Sequence, residues 1–169
     1  PVIIIGDNGK TKLSLKEITD TFELEFTLKN LTDTEVKYNT VTINVIADKA
    51  TDGMVTGVSK KLTFTCDTEP VTVPANETAT FKKTVTLDKD ELTENMKVFT
   101  NGFFVDGFVS FKNDVNPEIS IPFTGFYGDW EASPIFDKTM YDEGGSRFCV
   151  LDEENNKSNP ACPRDVVIS

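Results

Sequence analysis

The sequence predicts an all-β protein, an antiparallel β-sandwich, on three observations. Apolar side chains recur with a period of two along most of the chain, the mark of half-buried strands. Polar turns interrupt these runs at short intervals. Only one short segment, "DKDELTENM", carries a helical pattern.

The clearest strand is "TFELEFTLKN", in which Phe22, Leu24, Phe26 and Leu28 alternate with Thr21, Glu23, Glu25 and Thr27. A polar turn, "NLTDTE", ends it. In "VKYNTVTINVIAD", Val36 and Tyr38 hold one phase while Val41, Ile43 and Val45 hold the other, and this slip of parity predicts a bulge near Asn39–Thr40. "KLTFTCD" sets Cys66 in phase with Leu62 and Phe64, which reads as a core thiol. "VTVPANETATFKKTVTLD" reads as two strands broken at Pro74–Asn76. Its second half puts Lys83 on the face of Ala79, Phe81, Val85 and Leu87, so Lys83 must lie near an edge or extend its ammonium outward. Asp88 is placed to cap the helical segment. "GFFVDGFVSFKND" and "EISIPFTGFYG" complete the strands, the proline of "SIPF" being tolerated at an edge or a bulge. "DNG" at residues 7–9 and "TDG" at 51–53 read as turns. About seven or eight short strands joined by turns point to an immunoglobulin or fibronectin type III-like sandwich. The sandwich is expected over residues 1–137. Residues 138–169, rich in acids, Asn, Gly and Pro, read as an irregular extension or the start of a next module.

Charge and residue inventory exclude several functions. The 169 residues hold 28 acids against 17 bases, a net charge of −11, and lack the basic patch that nucleic-acid binding requires. Anionic membrane surfaces would repel the chain, and no apolar run is long enough to cross a bilayer. There is no histidine, so neither a Ser-His-Asp triad nor a Cys-His pair can be built from these residues. Three cysteines cannot all pair. Cys149 and Cys162, in the tail, are the candidate disulfide, closing a ring of about 14 residues.

Carboxylates are plentiful. Asp88, Asp90 and Glu91 resemble the start of a calcium loop but lack its glycine and terminal glutamate, which leaves at most a loose calcium site and no other cofactor. Asp129 and Glu131 flank Trp130 in a setting that suits a solvated turn, a sugar or a cation. Asn30, Asn76 and Asn156 each begin an Asn-x-Ser/Thr triplet.

"EISIPFTGFYGDWEASPIFD" is the densest aromatic stretch, with five aromatics between Phe123 and Phe136. Phe126, Tyr127 and Trp130 have the size to close one end of the sandwich, to dock against a neighbouring domain, or to form a ligand platform. The residues at hand leave all three open.

"FTLKNLTDTEVKY", "VTVPANETATFKKTVTL", "NGFFVDGFVSFKND" and "SIPFTGFYGDWEASPIFD" follow one another in the order of a single module. Over Leu13–Asp137 the chain resembles the fibronectin type III-like domain that follows the catalytic domain in large bacterial cell-envelope subtilases. These include the lactocepin-like proteinases and the complement-cleaving surface peptidases; "PFTGFYGDW" is the most specific part. The resemblance implies an excised, non-catalytic module of a secreted, cell-wall-attached serine endopeptidase. It implies that the module packs on the protease domain, steadies it and shapes access for a protein substrate. The three cysteines and the tail after Asp137 depart from the resemblance. A second reading, a binding module of a bacterial surface adhesin for a host protein or glycan, draws on the acidic surface and Trp130.

Overall fold

The structure, a computed structural model, describes residues 1–51 and 54–131. Among them are eleven strands and one helix. In chain order the strands are β1 (Val2–Ile5), β2 (Leu13–Ile18), β3 (Thr21–Asn30), β4 (Val36–Tyr38), β5 (Thr40–Thr51), β6 (Met54–Lys61), β7 (Phe64–Cys66), β8 (Val71–Val73), β9 (Thr78–Leu87), β10 (Phe103–Lys112) and β11 (Ile119–Tyr127). The helix α1 (Lys89–Val98) links β9 to β10. Two main sheets form, ordered β1-β3-β9-β7 and β2-β11-β10-β5-β6, and β4 pairs with β8 in a small third sheet. Pro1–Trp130 makes one compact unit.

The predicted alternation is what builds the core. Phe22, Leu24, Phe26 and Leu28 of β3 are buried, and so are Phe103, Val105, Val109 and Phe111 of β10. Rings from the two sheets meet between them: Phe26 lies 5.0 Å from Phe111 and Phe22 lies 6.0 Å from Phe123, centroid to centroid. Each such side chain contributes about 1.5–3 kcal/mol by leaving water. Asp88 caps α1 as its sequence position predicts, accepting the Glu91 N–H at 2.9 Å. Pro122 sits where β11 is flanked by β10 alone, because the pairing of β2 begins at Phe123, so a missing donor there is tolerated. The "DNG" turn forms with Asn8 and Gly9 at positive φ; residues 52–53 of "TDG" lie outside the described residues.

Three expectations change. The parity slip at Asn39 is a change of sheet and not a bulge: Val36 and Tyr38 belong to β4, paired with β8, and β5 starts at Thr40 against β10. Asn39 alone joins them, so the inward phase is reset when the partner changes. The sandwich holds more strands than the alternation showed. β1 ("VIII") is apolar on both phases, β2 is interrupted by Lys16 at φ 57 with a shifted register, and β6 carries a bulge opposite Asp48–Lys49. One pairing, β2 with β11, is parallel, the others antiparallel.

Cys66 keeps the predicted phase but is half-buried, because β7 is an edge strand with β9 as its one sheet neighbour. Its thiol donates to the Asp67 carbonyl at 3.4 Å. Burial pushes the Cys66 thiol up from its ordinary pKa against the opposing pull of Lys83. Lys83 is 5% exposed, and its ammonium extends along the sheet edge to the Glu69 carbonyl at 3.2 Å and Asp67 Oδ2 at 3.5 Å.

Candidate docking face

The outer faces of the two main sheets differ in chemistry. On the β1-β3-β9-β7 sheet the outward phase is mostly threonine and charge, with exposed Ile3 on the edge strand β1 the exception. Thr21 pairs with Thr86 at 3.2 Å and Thr27 with Thr80 at 3.0 Å, while Lys82 reaches Glu25 at 2.9 Å and Glu23 at 3.7 Å. That face is fitted to water. The outward phase of the second sheet presents Phe104, 43% exposed, and Phe108, 49% exposed, with half-buried Phe126 and Ile46 beside them.

The register places Phe104 directly across from Phe126, and Trp130 closes the group from the end of β11. The three rings meet edge to face or tilted, with centroids 5.4 Å (Phe104–Phe126), 6.0 Å (Phe104–Trp130) and 4.8 Å (Phe126–Trp130) apart. Trp130 remains 58% exposed. Two carboxylates hold the frame: Glu17 accepts the Trp130 N–H at 2.7 Å, and Asp48 accepts the Phe104 N–H at 3.2 Å. Gly102, at φ +106, lies under the Phe126 ring; a Cβ there would come within 2.5 Å of it.

The three residues singled out in the sequence therefore do two different jobs. Tyr127 turns inward, 5.3 Å from Phe103, which in turn meets Phe99 at 5.9 Å, and closes the end of the sandwich. Phe126 and Trp130 turn outward. Phe104 and Phe108 were not identified from the sequence, yet a signal exists. In "FFVDGFVSF" the phase opposite Phe103, Val105, Val109 and Phe111, where polar residues belong, carries two phenylalanines.

The other candidates resolve simply or fall outside. Asp88 caps α1, and Glu91 accepts the Thr63 N–H at 2.8 Å and the Thr63 hydroxyl at 3.2 Å, so both carboxylates serve local donors. Among the described residues no group of three or more His, Cys, Asp or Glu is arranged to hold a metal. Asn30 is buried and wholly engaged. Its amide N–H groups donate to the carbonyls of Thr34 (2.8 Å), Pro74 (3.0 Å) and Val73 (3.2 Å), and its oxygen accepts from Thr32. Asn76 is exposed at φ 57. Cys149, Cys162, Asn156 and Phe136 lie outside the described residues.

Comparison with known proteins agrees with the strand pattern. The Fn3-like domain family matches residues 13–124. A C5a peptidase of Streptococcus pyogenes is 32% identical over 148 residues, which is 84% of this chain and 12% of that protein. The PII-type proteinase of Lactococcus lactis subsp. cremoris is 28% identical over 177 residues, covering 94% of this chain and 8% of that protein. The 94% of this chain covered by that match is more than residues 1–137 make up, so similarity extends into the segment after Asp137. The chain thus spans about a tenth of the length of these relatives. Among solved structures, a PapD-like domain of human CEP192 aligns with a TM-score of 0.45 at 13% identity, covering 75% of this chain and 84% of that chain. The strand pairing and the match over residues 13–124 together make this chain a member of the Fn3-like domain family, similar to the domain of that type in bacterial cell-envelope subtilases.

Proposed function

We propose that the chain is a non-catalytic accessory module of a secreted, cell-wall-associated subtilisin-type serine endopeptidase. It packs on the protease domain through the outer face of the β2-β11-β10-β5-β6 sheet, steadies that domain and shapes access for protein substrates. One observation carries this reading. Phe104, Phe108, Phe126 and Trp130 share one outer face, while the opposite outer face is mainly threonine and ion pairs, with Ile3 exposed on its edge strand. An exposed aromatic cluster rimmed by polar residues is the mark of an interaction surface. The relatives, which are peptidases many times longer than this chain, supply the natural neighbour. With no histidine, the chain cannot supply a Ser-His-Asp triad itself. Residues 1–137 form the module in this reading, and 138–169 an extension or the start of the next one.

The first test is the coding sequence upstream of Pro1, where a subtilase catalytic domain is expected in frame. The second is the isolated chain, which should show no peptidase activity; measurable turnover would overturn the proposal. In the full polypeptide, Phe104→Ser and Trp130→Ser should shorten the thermal half-life of peptidase activity. The exposed Trp130 also fits an adhesin module that recognises a host protein or glycan. A glycan array and a host-protein pull-down that both stay empty would remove that reading.

A further inference from the structure

Asp106 occupies an unusual place in the docking face. It lies on β10 midway between Phe104 and Phe108, on the same outward phase, and is half-buried. Its registered neighbours are Thr124 on β11 and Ile46 on β5, so no positive charge stands at the four nearest positions of its face. The other carboxylates placed on the outer faces are engaged: Glu17 with the Trp130 N–H, Asp48 with the Phe104 N–H, Glu23 and Glu25 with Lys82. The Asp106 carboxylate has no hydrogen-bond or ion-pair partner among the described residues.

Covering this face changes that balance. An apolar partner laid over Phe104 and Phe108 would strip water from Asp106, and an unpaired buried carboxylate costs several kcal/mol. A second copy of the chain is worse, since a self-complementary contact sets the same acidic face against itself in a molecule of net charge −11. The partner must bring a cation to this point. Phenyl rings on either side favour a guanidinium, which pairs with a carboxylate through a planar fork and rests on aromatic faces.

We propose that Asp106 receives a cationic side chain, an arginine by this geometry, from the catalytic domain of the same polypeptide. This rests on the docking reading above. The placement is consistent with the topology. Val2 pairs with Asn30 at one end of the sandwich, while Trp130 and Glu17 lie at the other, about 30 Å away along a ten-residue strand. A domain joined ahead of Pro1 reaches the aromatic face by lying alongside the sheet, not end to end with it.

The test uses the full polypeptide and three variants, Phe104→Ser, Asp106→Asn and Asp106→Arg, with the thermal half-life of peptidase activity measured at low and high salt. Asp106→Asn should shorten the half-life by about tenfold or more and Asp106→Arg further, at low and high salt alike, because salt screens a covered pair little. In the isolated chain Asp106→Asn should leave the melting temperature unchanged or slightly raised, which separates loss of docking from loss of folding. If Phe104→Ser shortens the half-life and Asp106→Asn does not, docking stands and the cation is overturned. If neither variant matters, the docking reading fails and this inference with it. A concentration-dependent dimer of the isolated chain that Asp106→Asn strengthens would reassign the face to a second copy and overturn the proposal.

Discussion

Phe126 stands directly across from Phe104 in the register of β11 and β10, their rings tilted at 69° with centroids 5.4 Å apart, and neither ring points into the core. In the next register position, Tyr127 one residue on and Phe103 one residue back form the matching pair on the inner face. The same two strands thus carry one aromatic pair for stability and one for the surface.

This division predicts opposite mutational behaviour. Trp130→Ala should lower the stability of the isolated chain by about 1 kcal/mol or less, the scale of one exposed aromatic pair. Phe111→Ala removes a ring that is 0% exposed and touches Phe26 and Tyr38, and should cost about 3–5 kcal/mol. Urea unfolding of the two variants checks both. Comparable losses would mean that Trp130 belongs to the core after all.

Asn30 ties the β3–β4 turn to the strand β8. Asn30→Ala strands the carbonyls of Thr34, Val73 and Pro74 and should cost about 2–3 kcal/mol by denaturant unfolding. The same burial denies Asn30 to a glycosyltransferase acting on the folded domain. Treated after folding with an N-glycosyltransferase, the chain should accept glycan at exposed Asn76 and none at Asn30, as peptide mass spectrometry would show.

Lys83 tests how much its ammonium matters. The side chain lies across from Leu24 in the β3–β9 register, so the stem is packed and the charge sits at the edge. Lys83→Met keeps the packing and should change stability by about 1 kcal/mol or less, whereas Lys83→Ala leaves a cavity and should cost about 2–3 kcal/mol. The Asp67 carboxyl is held below its ordinary range, first by the Glu69 N–H and then by Lys83. A depressed pKa in the folded state adds stability above the ordinary aspartate range and loses it as pH falls through the folded value. Asp67→Asn should therefore lower stability slightly at neutral pH and leave it unchanged in acid, which flattens the acid limb of a stability–pH curve.

Gly107 has the closest neighbours of the described glycines in the second sheet. A Cβ at this position would lie 2.0 Å from the Asn44 carbonyl and 2.4 Å from the Phe123 ring. Gly107→Ala should cost about 1–3 kcal/mol or more, because backbone cannot move aside as a flexible side chain would. Calorimetry of the variant measures it; an unchanged melting temperature would contradict the packing.

The sequence alone determined the class, the long strands and the helix cap. β3, β9, β10 and β11 could be read because half-burial forces a local period of two, and Asp88 because a cap acts within one turn. The lack of histidine settled which chemistry these residues cannot perform. The tertiary structure decided the rest, for reasons that are not local. Period two says which residues share a face but not which face is inside, and "FFVDGF" is apolar on both phases. β1 and β2 were hidden because one has no alternation and the other is interrupted at Lys16. The slip at Asn39 looked like a bulge because parity records a reset without recording that the strand has changed partners. Whether Phe126, Tyr127 and Trp130 turn in or out depends on β10 beside them, and only that pairing set Tyr127 against the core and left Phe126 and Trp130 on the outer face.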